Sequence, residues 1–480
     1  LYSLFRPTVQ GGASRRITVQ RAAWKIRKVP SAEGIRRDES ENVLEPFIMR
    51  VTQNSEDHME PSYQPNRFRR KAVQVEEAQR KIIELVRLGE SEVVRLEDAF
   101  GRRLACDVHA ANDMPHFRRS GMDGFAVQAE ATAGASPESP VTLEVIENIP
   151  CGSRPAKAVN GKTASRIMTG AMVPDGADAV IMLEMTETFE RDGKTFISIK
   201  KEILAGQNVA PIGVEVTTGE LILEKGAKIN AGEAALLAAF GIGELSVFKR
   251  PRVAIFSTGS ELLDIHSPLE PGKIRNSNTY MLAMLVRDAG GIPQLHESIP
   301  DDAELAMRRI SAAMAASDFV ITTGGVSVGD YDIMADIFDA WDGTMLFNKV
   351  TMRPGSPTTA GMWKEKFLFA LSGNPGACFV GFELFVRPVL WGMQGKMEVT
   401  PPKATAFLGE DFQKVNAYHR FVRGKSYVEN GRLLVKQTGP DRSSLMLSIK
   451  DSDCLIVIPP GGSGTSAGEL VDIIKLGWAE

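Results

Sequence analysis

The chain has 480 residues, 43% hydrophobic and 24% charged, with a formal net charge of −4. That length exceeds one ordinary core, so several domains are expected, and the near-neutral charge argues against nonspecific nucleic-acid binding as the main activity. The four cysteines, Cys106, Cys151, Cys378 and Cys454, and the six histidines are scattered without metal-ligand spacing, which signals neither a disulfide framework nor a zinc site and fits a reducing cytoplasm.

Residues 1–66 read unlike the rest. "SRRITVQRAAWKIRKV" is Arg-rich, "EGIRRDESENVLEP" is mixed in charge, and there is no apolar core of a secretory signal. This stretch is expected to be a poorly ordered extension, with Met59 or its neighbourhood as the natural start. From Val73 the pattern becomes regular. Val75, Ala78, Ile82 and Val86 share one helical face. "EVVRLEDAFGRRLACDV" follows as strand, helical turn and strand, and "NDMPHFRRSGMDGFAV" as a loop entering "GFAV". Short alternating strands from Val141 to Ile203 predict a small all-β domain. "NAGEAALLAAFGI" predicts a helix with Asn230 as its N-cap; its "AALLAAFGIG" run is the nearest approach to a membrane span and is too short for one.

From Arg252 the grammar changes to strand–loop–helix units. "RVAIFSTG", "IPQLHESIP", "DFVITTGG" and the start of "FLFALSGNPGACFVGFELFVRPVLWGM" are strands, with helices between and after them. This spacing predicts a doubly wound α/β domain with a parallel sheet. After about Gly395 short strands return, with a hairpin around Asn430-Gly431, and a C-terminal β domain is expected.

"ITTGGVSVGDYD" carries the first functional signal. An apolar strand runs into Gly324-Gly325, which lets the backbone turn tightly and approach a ligand; Ser327, Asp330 and Asp332 follow before a helical pattern. It is neither a P-loop nor a dinucleotide fingerprint. Other strand ends supply Ser257, Thr258, Gly259, Ser260 and Glu261, and then Asp301 and Asp302. Acids at carboxyl ends of neighbouring strands converge on one crevice and suit Mg²⁺ held with substrate phosphate. Each acid alone reads equally as a helix N-terminal residue. "FNKVTMRPGSPTTAG" offers Lys349, Arg353, Pro354, Gly355, Ser356, Thr358 and Thr359 as an oxyanion cradle, or as a solvated loop. "LSGNPGA" adds Gly373, Asn374 and Gly376 at another strand–helix turn, where backbone N–H groups face an anion well. The combination suits a phosphorylated or pyrophosphate ligand with an oxyanion beside it.

Seven motifs in order resemble the molybdopterin molybdenumtransferase family, which includes the gephyrin E-domain. They are "DMPHFRRSGMDGFAV", "RIMTGAMVPDGADAVIMLE", "VAIFSTGSELL", "GKIRNSNTYML", "ITTGGVSVGDYD", "VTMRPGSPT" and "LSGNPGACFVGFELFVRPVL". The resemblance runs from about Val73 to the C-terminus. It implies a multidomain α/β plus β architecture. A dimerisation domain would span 67–112 and 205–248, with a small β domain inserted at 113–204. A molybdopterin-binding α/β domain would span 249–395 and a C-terminal β barrel 396–480. It further implies an elongated homodimer that converts adenylylated molybdopterin and molybdate to molybdenum cofactor, releasing AMP in a Mg²⁺-dependent step. A molybdopterin adenylyltransferase would be the upstream donor, and apo-molybdoenzymes or their chaperones the acceptors.

By the same resemblance Glu261, Asp301 and Asp332 match acidic active-site positions that hold metal, and Asp123 matches an acid reached from the dimer partner. Thr169 sits near that cleft, and Lys349, Arg353, Ser356, Arg423 and Ser443 line the pterin or molybdate side. Arg423 and Ser443 read equally as ordinary barrel residues. The chain departs from the family pattern at Gly213-Val214-Glu215, where many relatives carry "GED". It departs again at Ser372 and Gly376-Ala377, and at Arg353 and Ser356, where others carry two lysines. Arginine keeps the charge and grips oxyanions in a bidentate way, whereas serine loses it. A tungstate-using version of the enzyme and a gephyrin-like pterin-binding scaffold are the alternatives.

Overall fold

The computed structural model describes residues 71–480 apart from 301, 326–336, 338–339, 341–342, 416, 463 and 478–480. The chain divides into two units, Leu1–Arg67 and Phe68–Glu480. The described residues belong to the second. The expectation for residues 1–66 lies outside them.

Two stretches far apart in sequence build one β-rich lobe. Strand Ser91–Arg95 pairs antiparallel with Glu244–Phe248, and Val108–His109 with Leu221–Leu223. Ala99, Leu104, Ile229, Leu237, Leu245 and Val247 form its core. Helix Ala231–Ala239 starts where "NAGE" places it, because the Glu233 carboxylate accepts the Asn230 N–H at 2.9 Å in a capping box.

Between those stretches lies a six-stranded sheet, in the order Ala179–Met182, Gly124–Val127, Thr163–Ile167, Val141–Ile149, Lys194–Ile199, Thr186–Arg191. Alternation along "GFAV" sends Phe125 and Val127 into one apolar cluster and Ala126 into another, so both faces of this strand are covered.

Helix Val75–Ile83 falls in the segment expected to build the dimerisation domain. Its buried face, Val75, Ala78 and Ile82, packs into the α/β core with Val253, Leu282 and Phe385.

The α/β region holds a six-stranded sheet, in the order Ile292–Leu295, Arg252–Ser257, Phe319–Thr323, Lys366–Leu371, Thr359–Trp363, Thr344–Phe347. The first four strands are parallel, and two antiparallel strands extend them. The central parallel strands are near-continuous apolar runs because helices cover both faces. Val253 and Ile255 point to the cluster formed with helix Asn278–Asp288 and the helices from Pro375 onward. Ala254 and Phe256 point to the cluster formed with helix Ala303–Ala316.

The run Pro375–Met393 joins two α-helices through a π-helical turn at Phe382–Val386. It corrects the expectation that "AALLAAFGIG" is the nearest approach to a span. By length and composition alone this run could cross a membrane, but 89% of its apolar window is buried inside the fold, as a core helix requires. Inside it, Glu383 and Arg387 form a fully buried ion pair, which Asp288 joins from the neighbouring helix at 2.7 Å.

The C-terminal strands close into a five-stranded barrel: His419–Glu429, Arg432–Gln437, Lys403–Leu408, Leu470–Lys475, Cys454–Ile458 and back to His419–Glu429. Closure leaves no free edge among these strands. Asn430 and Gly431, with φ of 49° and 75°, make the hairpin turn. Short strand Met352–Arg353 adds in parallel to His419 and Arg420 and ties the α/β region to the barrel.

Candidate active site

Three parallel strands end at one place. A Cβ on Gly324 would strike the Thr258 carbonyl, one on Gly325 would lie 2.9 Å from Thr258 Oγ1, and one on Gly373 would lie 3.4 Å from Gly324 Cα. Gly324 and Gly325 also hold positive φ, 95° and 66°. The glycines therefore serve both close approach and turn geometry. Side-chain amides tie these ends together. Asn278 Nδ2 donates to Thr323 Oγ1 at 2.9 Å and to the Gly373 carbonyl at 2.8 Å, and Thr323 Oγ1 donates to the Ser372 carbonyl at 3.0 Å. Asn276 Nδ2 donates to Ser257 Oγ at 2.8 Å, which also meets Ser298 Oγ at 2.6 Å. Thr258 Oγ1 and Asn278 Oδ1 are buried and have no hydrogen-bond partner among the described residues. Cys378, under this floor, is fully buried, and burial pushes its thiol up to about 12 against the lowering effect of its bond with Thr323. It stays protonated and is no nucleophile.

Beside the strand ends lies a crevice of about 420 Å³ between the α/β region and the barrel. The α/β region lines it with Arg353, Pro354, Gly355, Ser356, Pro357, Ser372, Asn374 and Ala377; Arg420, Asp441, Arg442, Ser443 and Ser444 complete it. Arg353 and Arg420 are register partners, so their proximity is set by a backbone ladder. Asp441 pairs with Arg420 and with Lys414, the latter at 3.4 Å. Ser356 Oγ donates to the Val350 carbonyl at 2.7 Å, so its hydroxyl holds the cis-Pro354 loop in shape.

Arg423 packs directly behind this wall. It is 2% exposed; Nε donates to Ser448 Oγ at 2.7 Å and Nη2 to the Arg442 carbonyl at 2.9 Å. Its Nη1 lacks a partner among the described residues and lies where a Gly376 Cβ would come within 2.6 Å. Desolvation lowers its pKa, yet a guanidinium remains charged at neutral pH. Gly376 N–H donates to the Ser443 carbonyl at 2.8 Å, which seats the start of helix Pro375–Gly381 against the barrel. Lys349 is half-buried and is not a lining residue; its carbonyl accepts the Val73 N–H at 3.0 Å.

The acids divide. Asp123 is exposed and accepts Thr169 N–H at 2.6 Å and Thr169 Oγ1–H at 2.9 Å. These bonds, the backbone one first, hold its carboxyl below the usual range. Glu261 is exposed, folds back beside Gly259 and joins no ion pair among the described residues. Asp301, Asp330, Asp332 and Ser327 lie outside the described residues. Asp302 caps helix Ala303–Ala316, accepting Leu305 N–H at 2.9 Å. Glu215 is exposed and pairs with Arg119 at 2.7 Å. Among the described residues no three His, Cys, Asp or Glu side chains group as a metal site. Sequence reasoning passed over Arg420, Asp441, Arg442, Asn276 and Asn278. The asparagines were visible inside "IRNSNTYML", where Asn276 lies just before a helix at a strand end and Asn278 opens it.

The chain matches three family models in order. They are the MoeA N-terminal region (domain I and II) over residues 73–241, a probable molybdopterin binding domain over 254–391, and the MoeA C-terminal region (domain IV) over 405–476. It is 43% identical over 410 residues to a molybdopterin molybdenumtransferase of Bacillus subtilis (strain 168), covering 85% of this chain and 95% of that protein. A Staphylococcus aureus (strain MRSA252) protein of the same name is 42% identical over 406 residues, covering 85% and 96%. A solved structure, the molybdopterin biosynthesis protein of Pyrococcus horikoshii OT3, superimposes with a TM-score of 0.73 at 33% identity, covering 85% of this chain and all of that one.

Proposed function

This chain belongs to the molybdopterin molybdenumtransferase family of molybdenum cofactor biosynthesis, and from that premise we propose that it converts adenylylated molybdopterin and molybdate to molybdenum cofactor with release of AMP. The observation that carries this reading is the crevice where Arg353, Arg420 and Arg442 converge. A tetrahedral dianion needs several cations, and planar guanidiniums grip its oxygens in pairs.

The residues divide the work. The strand-end floor, closed by Gly324, Gly325 and Gly373 and stiffened by Asn278, lets a pterin phosphate lie against backbone N–H groups. The arginine wall holds the oxyanion beside the dithiolene. In the hydrolysis a water oxygen bonds to the adenylyl phosphorus as the bridging phosphorus–oxygen bond breaks, giving AMP and the pterin phosphate, and the same cations stabilise the charge that develops on the leaving oxygen. Two bonds from Thr169 hold the Asp123 carboxyl below its usual range and fix its orientation. It serves the cleft of the partner in a homodimer. Glu261, with Asp301 and Asp332, would hold Mg²⁺; the exposed Glu261 carboxylate is a hard oxygen donor of the kind that ion takes. Mg²⁺ supplies charge neutralisation on the phosphoryl oxygens.

The test gives the purified chain adenylylated molybdopterin, Mg²⁺ and either molybdate or tungstate. AMP release and activation of an apo-molybdoenzyme are followed, with Asp301→Asn alongside. AMP release with activation, lost in the variant, is the expected result and identifies the preferred oxyanion. Tight pterin binding without AMP release would leave a binding scaffold instead.

A further inference from the structure

Away from the crevice, a second group of cations gathers where the first β-rich lobe meets the end of the long core helix. Arg103 Nη1 donates to the Gly226 carbonyl at 2.8 Å, and Arg103 and Lys228 are bridge partners across that turn. Gly226 packs so closely on the Gly395 carbonyl that a Cβ would clash with it. The next residue, Lys396, lies with its ammonium 3.2 Å from the centroid of the Trp391 ring, which Arg387 also faces at 5.5 Å. Arg387 is neutralised by Glu383 and Asp288. Arg103, Lys228 and Lys396 form no ion pair among the described residues. Glu398 acts on Lys396 through its charge, but no ion pair joins them among the described residues.

The simplest account makes Lys396 a favourable charge at the C-terminus of helix Arg387–Met393. That terminus carries about half a negative charge, which cannot neutralise three cations. Burial first, and then the nearby Arg103 and Arg387 charges, bring the Lys396 ammonium down to about 8, which places Lys396 within electrostatic reach of Arg103. Lys228 is exposed and leaves the group open to solvent on one side.

We propose that Arg103, Lys228 and Lys396 form a binding site for a phosphate-class dianion that clamps the β-rich lobe to the α/β region. A dianion there would neutralise most of the cluster and hold the turn at Gly226 against the chain at Gly395. The probe is inorganic phosphate, titrated calorimetrically into the full chain at fixed ionic strength, with methyl phosphate in parallel.

Saturable phosphate binding is expected. In an Arg353→Gln background, which removes the crevice's share of the binding, Lys396→Gln and the exposed Lys228→Gln should each weaken the remaining phosphate binding by roughly tenfold or more. Methyl phosphate binding with the same losses supports a metabolite's phosphoryl group as the ligand; inorganic phosphate alone supports the free ion. The inference is overturned if the native chain binds no phosphate. It is overturned equally if both lysine variants bind as the Arg353→Gln chain does, or if Arg353→Gln removes all the binding. Lys228→Gln is exposed, so its result does not depend on folding.

Discussion

Gly376→Ala tests the arginine wall from behind. The added Cβ would lie 2.6 Å from Arg423 Nη1, 3.0 Å from its Cζ and 3.0 Å from the Ser443 carbonyl. The carbonyl is fixed by the Gly376 N–H, and the guanidinium is buried, so neither neighbour moves freely. Overpacking of this kind costs about 1–3 kcal/mol. Relief requires Arg423 to shift and to weaken its bonds to Ser448 and the Arg442 carbonyl. Arg423 Nη1, without a partner among the described residues, is the nitrogen left for an anion, and losing its charge-assisted hydrogen bond, about 1.5–3 kcal/mol, should lower molybdate affinity about 10- to 100-fold. Urea unfolding measures the first quantity and calorimetric molybdate titration with pterin present measures the second. An unchanged urea midpoint together with unchanged molybdate affinity would refute the packing argument and remove Arg423 from the site.

Thr169→Ala removes the hydroxyl donor to Asp123 and leaves the backbone donor, so the Asp123 pKa should rise toward 3.8. Because the folded-state value is depressed, Thr169 favours the ionised form above the unfolded pKa, and that advantage disappears as pH falls through the folded value. The acid limb of AMP release should therefore move up in pH, read from the rate profile. Gly259→Ala places a Cβ 2.7 Å from Glu261 Oε1 at a φ of 139°, so Glu261 must move; the Mg²⁺ concentration for half-maximal AMP release should rise about tenfold, the equivalent of losing one ligand contact. Glu383→Gln strips the buried Arg387 of its closest counter-charge and leaves only Asp288. Unfolding free energy should drop by about 3 kcal/mol with the urea m-value unchanged.

The elements most legible in the sequence are those whose pattern is local. The apolar runs of the parallel strands, the capping box at Asn230 and the turn at Asn430-Gly431 each announce themselves within a few residues. The α/β class follows from the alternation of such units. The two antiparallel strands that extend the sheet do not, because Thr344–Phe347 and Thr359–Trp363 are short and lie in a stretch that also reads as loop. The helical run from Pro375 was legible as a helix but not as the most span-like one. Its Glu383 and Arg387 stand at i and i+4, so their pairing is local, but their full burial and the third partner, Asp288 from another helix, arise only from the packing. At the site, the glycines and Arg353 were visible as motif residues. Arg420 and Arg442 were not, since nothing local distinguishes a barrel arginine facing solvent from one facing a crevice.

The same long-range assembly bears on Ser356, one of the positions where the family resemblance leads to the expectation of a lysine. A missing charge in a cradle would ordinarily weaken anion binding. Here the Ser356 hydroxyl is committed to the Val350 carbonyl, so the loop keeps its shape without a cation at that position. Arg353 is brought beside Arg420 by the ladder between Met352–Arg353 and His419–Arg420, and Arg442 lines the same crevice. Asp441 offsets part of that charge by pairing with Arg420 and Lys414. Arg353 and Arg442 carry no ion pair among the described residues, and Arg423 adds a buried guanidinium behind them. The positive charge of the crevice therefore resides mainly in guanidiniums held by backbone geometry. Replacing Ser356 with lysine should strengthen oxyanion binding only modestly, by less than about tenfold, because the added ammonium is a flexible point charge next to fixed forks. A gain of about a hundredfold or more on Ser356→Lys in the molybdate titration would show instead that the arginines do not supply the anion-binding charge.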